Sequence, residues 1–162
     1  MKNLYKTANR HIDQIDRKIL ANLQQDGRMA VQELAEKVGL TISPCLRRVR
    51  LLEEAGIIRG YSAVVDQARI GLPISVFVQV KLERQREEEL QRFDKALGRF
   101  PEVVEAYLMT GVCDYLLRVV VADLPAYETF LRDKLTRVEG VRSIESSFAL
   151  KQVKSTFALP ME

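Results

Sequence analysis

Apolar residues in the first third of the chain recur at intervals of three and four, the signature of helices with one covered face. Ile12, Ile15, Ile19, Leu20 and Leu23 form one stripe, ended by the breaker pair Asp26-Gly27. Val31, Leu34, Ala35 and Val38 form a second, with Gly39 placed where a helix stops, because glycine takes the left-handed conformation there without strain. Ser43-Pro44 then offers an N-cap followed by proline at the first helical position, where its missing N–H costs nothing. Leu46, Val49 and Leu52 give the stripe of a third helix, which Gly56 closes. Three short helices with a tight turn between the last two predict a helix-turn-helix unit. Ile57 to Val65 (IIRGYSAVV) is β-rich and predicts either a wing pairing back on this unit or a strand leading away from it.

The rhythm changes beyond Gly71 and Pro73. Ile74, Val76, Val78, Val80 and Leu82 alternate with Ser75, Gln79 and Lys81, the pattern of a strand with one covered side. A helix with the stripe Leu90, Phe93 and Leu97 follows, then strands over 103–109 and 115–121 joined by a short turn at 110–114. Asp123 can cap a second helix with the stripe Leu124, Tyr127, Leu131 and Leu135 and with Gly140 as its stop, before a last strand from Val141 to about Val153. The order β-α-β-β-α-β is that of a ferredoxin-like α+β unit, with two helices on one face of a four-stranded antiparallel sheet. The predicted organisation is a helix-turn-helix unit over 1–60, a linking strand and hinge over 61–73, and the βαββαβ unit over 74–162. Phe77 and Tyr107 on the uncovered face make it a place for a second subunit to pack, so at least a homodimer is expected.

Composition narrows the function. With 47% hydrophobic and 29% charged residues the chain is globular in type, and no apolar run reaches the roughly 18 residues of a membrane span. Residues 1–18 lack the apolar core of a secretory signal, so a cytoplasmic location is expected. Cys45 and Cys113 with the single His11 make neither a disulfide framework nor a metal site, and no cofactor is expected. Residues 1–60 hold 11 Lys and Arg against 7 Asp and Glu, and the remainder 14 against 15. The positive excess therefore lies wholly in the helical third, where a polyanion would be met.

The third helix concentrates that charge. With Leu46, Val49 and Leu52 facing the other helices, Arg47 and Arg50 project outward, Arg48 flanks them, and Ser43 and Pro44 lead at the N-terminus. Such an end can enter the major groove of duplex DNA, where arginine binds guanine bidentately, and the hydroxyls of Thr41 and Ser43 can contact phosphates. The competing arrangement pairs Arg47 and Arg50 with Glu53 and Glu54 on a solvated helix. The three-helix context and the localised charge favour DNA.

The stretches DQIDRKILANLQQDGR (13–28), ELAEKVGL (33–40), SPCLRRVRLLEEAGIIRGYSA (43–63) and GVCDYLL (111–117) resemble the Lrp/AsnC ("feast/famine") family of transcription regulators over nearly the whole chain. The resemblance implies a DNA-binding helix-turn-helix joined to an effector and oligomerisation domain, in dimers that assemble into tetramers, octamers or larger rings. It makes the segment from Ser43 to Ala55 the recognition helix, with Ser43, Pro44, Arg47, Arg48 and Arg50 as contact candidates; Leu51 stands where relatives are often basic. It also implies a free amino-acid effector between dimers, against the turn Gly111-Val112-Cys113-Asp114. Turn N–H groups suit an α-carboxylate and Asp114 an α-ammonium, although such a turn is by itself an ordinary hairpin. Leu108, Leu124, Ser147 and Phe148 are further pocket candidates, and Val112 with Cys113 points to an apolar effector such as leucine or methionine. Two other functions share the outline. One is a sirohaem-decarboxylase-like enzyme, disfavoured because His11 is remote from the pocket and no catalytic signature appears. The other is a nucleoid-type architectural protein without an effector.

Overall fold

The computed structural model describes residues 11–161. Residues 1–10, most of the segment read above as lacking a signal core, lie outside the described residues. The chain divides into two compact units: one runs to Val64 and takes in the stretch from Lys154 onward, and the other is Val65–Val153.

In the helical unit, α1 (Gln14–Gln25), α2 (Val31–Val38) and α3 (Ile42–Glu54) enclose one apolar cluster. Asp13 caps α1, its Oδ1 accepting from the Asp16 N–H at 2.8 Å, which satisfies one of the donors that a helix start leaves unpaired. Gly39 ends α2 with φ 72°, and the Leu40 N–H returns to the Ala35 carbonyl at 2.9 Å, closing the helix as its sequence predicts. The start of α3 differs from expectation: Thr41 occupies the cap position with extended backbone, and Ser43 and Pro44 lie inside the first turn. Proline is tolerated there because first-turn N–H groups have no intrahelical acceptor. The buried stripe also differs at its first position: Cys45, Val49 and Leu52 face the core, whereas Leu46 is only half-buried. Residues 57–65 form no strand within this chain, and 66–72 fold into a turn in which the Asp66 carboxylate accepts from the Arg69 N–H.

The second unit is the expected βαββαβ arrangement: β1 (Ile74–Leu82), α4 (Glu87–Leu97), β2 (Val103–Leu108), β3 (Tyr115–Val121), α5 (Leu124–Asp133) and β4 (Val141–Phe148). The sheet order is β2-β3-β1-β4 and every neighbouring pair is antiparallel. Val76, Val78, Val80 and Leu82 of β1, with Leu117 and Val119 of β3, pack beneath Phe93 of α4 and Phe130 of α5. Each such buried side chain contributes about 1.5–3 kcal/mol. Asp123 caps α5, accepting from the Ala126 N–H at 2.7 Å, as its position predicts. Beyond Asp133 the chain tightens into a 3-10 turn over Leu135–Arg137, so Leu135 is buried from that turn rather than from the helix, and Leu124 stays exposed. The last strand stops at Phe148, short of the expected Val153, because β4 has only β1 as a neighbour and the chain beyond Ala149 has none.

The stretch from Lys154 onward is tied to α1. The Gln24 side-chain amide donates to the Leu159 carbonyl at 3.1 Å and its Oε1 accepts from the Leu159 N–H at 2.6 Å, while Met161 packs on the helical core.

The stripe on α3 fixes its rotation and gives a direct check. Leu52 is fully buried and Leu51 is 39% exposed. In urea denaturation, Leu52→Ala is expected to cost about 2–5 kcal/mol and Leu51→Ala no more than about 0.5 kcal/mol; equal losses would mean that α3 is rotated from the position described.

Candidate nucleic-acid interface and effector site

Viewed down α3, at about 100° per residue, Ser43, Arg47 and Arg50 fall within an arc of roughly 60° opposite the buried stripe. All three side chains are exposed, as are Thr41 and Pro44. Neither Arg47 nor Arg50 makes an ion pair among the described residues, so the arrangement in which Glu53 and Glu54 neutralise them is not formed. Glu53 instead accepts from the Tyr61 hydroxyl at 3.0 Å; burial, aided by that carboxylate, pushes the tyrosine pKa up to about 12. The outer face of the helix is left cationic, with its guanidinium groups free.

Arg48 is not part of that face. Its Nη1 donates to Asp13 Oδ2 at 2.7 Å and to Asp16 Oδ1 at 2.8 Å, on the flank of α3 that meets the start of α1. Asp16 is 1% exposed, and this charge belongs to the domain interior. Expected to flank Arg47 and Arg50 as a DNA contact, Arg48 instead holds its guanidinium against Asp13 and Asp16. The Asp16 carboxylate, and then Asp13, hold the Arg48 pKa above the ordinary guanidinium value. The Asp16 N–H, and then Arg48, hold the Asp13 carboxyl below the usual carboxylate value of 3.8. A depressed carboxyl pKa stabilises the fold above its unfolded value, and this contribution is lost as pH falls through the lower folded value. Burial alone raises the Cys45 thiol pKa, in keeping with a core residue.

In the sheet unit the turn after β2 carries the first group of effector candidates. Gly111 has φ 119°, Val112 is 88% exposed and Cys113 half-buried, and Leu108 precedes them, paired with Tyr115. The N–H groups of Gly111, Val112 and Cys113 donate no hydrogen bond among the described residues. Asp114 does not face this turn as an open acceptor. It is 6% exposed, its Oδ2 accepts from the Leu82 N–H at 2.7 Å, and its Oδ1 accepts from the Gln85 amide at 2.6 Å. Expected to hold an ammonium group, the Asp114 carboxylate instead ties the hairpin to the end of β1 and to the loop before α4.

The remaining candidates lie at the other end of the sheet. Phe148 is opposite Val76 and Ser147 opposite Phe77, whereas the turn leads into Tyr115, opposite Val80. Four residues along β1 correspond to roughly 13 Å. Leu124 is farther still, three residues past Val121, which pairs with Ile74. Phe148 packs edge-on against Tyr127 with ring centroids 5.3 Å apart. Within one chain, then, Leu108 and Gly111–Asp114 form one group and Leu124, Ser147 and Phe148 another. Between them, on the face away from the helices, Phe77 and Tyr107 are 40% and 53% exposed, and Arg118 donates to Glu105 at 2.9 Å.

Sequence reasoning did not find Asp13 and Asp16 as partners of Arg48, nor Gln85 as a partner of Asp114. The only local signal was the Asp-x-x-Asp spacing at the start of α1, which puts both carboxylates on one side of a helix. Among the described residues no cluster of His, Cys, Asp and Glu is placed to hold a metal ion, and no helix is long and apolar enough to cross a membrane.

Comparison with known proteins matches residues 12–59 to a winged helix-turn-helix DNA-binding domain and residues 75–159 to the Lrp/AsnC ligand binding domain. The chain is 49% identical over 150 residues to the Bkd operon transcriptional regulator of Pseudomonas aeruginosa, covering 93% of this chain and 98% of that one. It is 41% identical over 143 residues to the leucine-responsive regulatory protein of Rhizobium meliloti, covering 88% and 92%. Its structure is similar to that of a transcriptional regulator from Neisseria meningitidis in complex with L-Met, with TM-score 0.88 and 39% identity, over 93% of this chain and 97% of that one. These relatives are regulators rather than enzymes, the helical half matches a DNA-binding domain and the sheet half the Lrp/AsnC ligand binding domain: the protein belongs to the Lrp/AsnC family of transcription regulators.

Proposed function

We propose that α3 is the recognition helix of a sequence-specific regulator, with Arg47 and Arg50 reading base edges or phosphates and Thr41, Ser43 and Pro44 lining its approach. The observation that carries this is the pair of exposed guanidinium groups that make no ion pair among the described residues, on the side of α3 opposite its buried stripe. Two such helices in a dimer would meet successive major grooves about 34 Å apart. The dimer would form through the uncovered sheet face around Phe77 and Tyr107, with dimers assembling further into tetramers or octamers.

The effector of this reading is a free apolar amino acid, methionine or leucine. Its α-carboxylate would be received by the unpaired N–H groups of Gly111–Cys113, which Asp114 holds in place by anchoring the turn. Leu124, Ser147 and Phe148 lie too far along the sheet to join that turn in the same chain, which favours a pocket completed by a second copy. The L-Met complex of the Neisseria meningitidis relative supports the chemical class. Binding would favour one assembly state and so alter the spacing of the recognition helices.

A calorimetric screen of the twenty amino acids, run beside size-exclusion chromatography, tests the effector. Heat and a change of assembly with methionine or leucine are expected; no response to any amino acid would leave an architectural DNA-coating protein as the better description.

Arg47→Ala and Arg50→Ala, measured on the duplex that the wild-type chain selects from a random pool, are expected to lose about 1–3 kcal/mol of binding each, with sedimentation unchanged. Retained affinity in both would remove α3 from the interface.

Gly111→Val forces a side chain into a positive-φ position with open space around it, so the strain falls on the backbone alone. Methionine affinity is expected to fall about tenfold or more, with Tm lowered by only a few degrees; undiminished binding would place the carboxylate elsewhere.

Phe77→Glu buries a charge in the expected dimer face. The sedimentation coefficient should drop to that of a monomer at micromolar concentration, and a persistent dimer would assign the interface to another surface.

A further inference from the structure

We infer that Arg48, with Asp13 and Asp16, is the positioning device of the recognition helix: the ion-paired cluster sets the rotation of α3, and base and phosphate contact is left to Arg47 and Arg50. This rests on the proposed role of α3.

Three features of the geometry carry it. A carboxylate as buried as Asp16 is tolerated only when paired, and Arg48 supplies a hydrogen-bonded cation at 2.8 Å. Such a pair adds little stability relative to a well-packed apolar substitute, so what it supplies is geometry rather than energy. Asp13 divides its two oxygens between tasks: Oδ1 caps α1 through the Asp16 N–H, and Oδ2 accepts from Arg48. One side chain therefore fixes the start of α1 and the middle of α3 together. Arg48 sits about 60–80° from the centre of the buried stripe on one flank. Pinning that flank stops α3 from rolling, and any roll would carry Arg47 and Arg50 out of alignment with a groove.

The decisive test exploits the sign of the charge change. Asp13→Asn keeps an N-capping side chain and removes a negative charge beside the recognition helix. Electrostatics alone, or a DNA-contacting Arg48 released from its partner, would strengthen binding to DNA. Loss of positioning weakens specific binding instead. With the pool-selected duplex and poly(dI-dC) as probes, the expected result is roughly a tenfold loss on the selected duplex with unchanged or higher affinity for poly(dI-dC). Selected-duplex affinity equal to or above wild type overturns the inference.

Arg48→Gln provides the second measurement. Affinity for the selected duplex should fall while the slope of log affinity against log salt stays at the wild-type value. A slope reduced by about 0.9 would make Arg48 a phosphate contact and overturn the inference. Should that variant not fold, Asp13→Asn, whose side chain is 44% exposed, decides alone. If Arg47→Ala and Arg50→Ala leave selected-duplex binding intact, the role of α3 falls and this inference with it. If they abolish binding and Asp13→Asn does not weaken it, only the positioning role fails.

Discussion

The structure turns on how α3 is rolled against its neighbours. Cys45, Val49 and Leu52 are the residues that touch the helical core, and Leu52 and Cys45 have no exposed surface at all. Once that stripe is seated, 3.6 residues per turn leave no freedom in what faces out. Ser43, Arg47 and Arg50 must point away, and Arg48 must lie on the flank. A helix with three arginines in four positions is thereby divided between two jobs. Two guanidinium groups stand in solvent, and the third is drawn into Asp13 and Asp16.

The sheet unit obeys a second constraint of the same kind. Strict alternation along β1 sends Val76, Val78, Val80 and Leu82 under the two helices and leaves Phe77 and Gln79 on the opposite face. A four-stranded sheet covered on one side only leaves Phe77 and Tyr107 exposed on the other. The end of that sheet is secured from within. Asp114 accepts from the Leu82 N–H with one oxygen and from Gln85 with the other, and among the described residues the N–H groups of the preceding turn donate no hydrogen bond. In the proposed site, such donors would receive the effector's carboxylate.

What was legible in the sequence was local. The alternation of β1, the cap at Asp123, the glycine stop at Gly39 and the order of elements all depend on residues within a few positions of one another, and all are found. The roles of Arg48 and Asp114 depend on partners about thirty residues away. Arg48 meets Asp13 and Asp16 across 35 and 32 positions, and Asp114 meets Leu82 and Gln85 across 32 and 29. A charged residue beside other charged residues reads as solvated unless the fold is already known, and both therefore read as outward-facing in the sequence. The β-rich segments 57–65 and 149–153 went astray for another reason: propensity makes them able to form strands, but a strand needs a neighbour, and this chain supplies none.

The division of the effector candidates has a thermodynamic consequence. Backbone N–H groups at Gly111–Cys113 would recognise a carboxylate, which every free amino acid carries, so the turn alone could not choose among them. Choice would have to come from apolar surface, and within the chain the candidates Leu124 and Phe148 lie at the far end of the sheet. In the proposed site, generic and selective recognition therefore meet only when two copies are brought together. A ligand bound fully by the assembled state and only through its carboxylate by the free one must shift the equilibrium towards assembly, by an amount set by the affinity its side chain adds. Selectivity and control of assembly would then be one free energy, and an amino acid too small to fill the second half of the pocket would bind weakly and regulate weakly for the same reason.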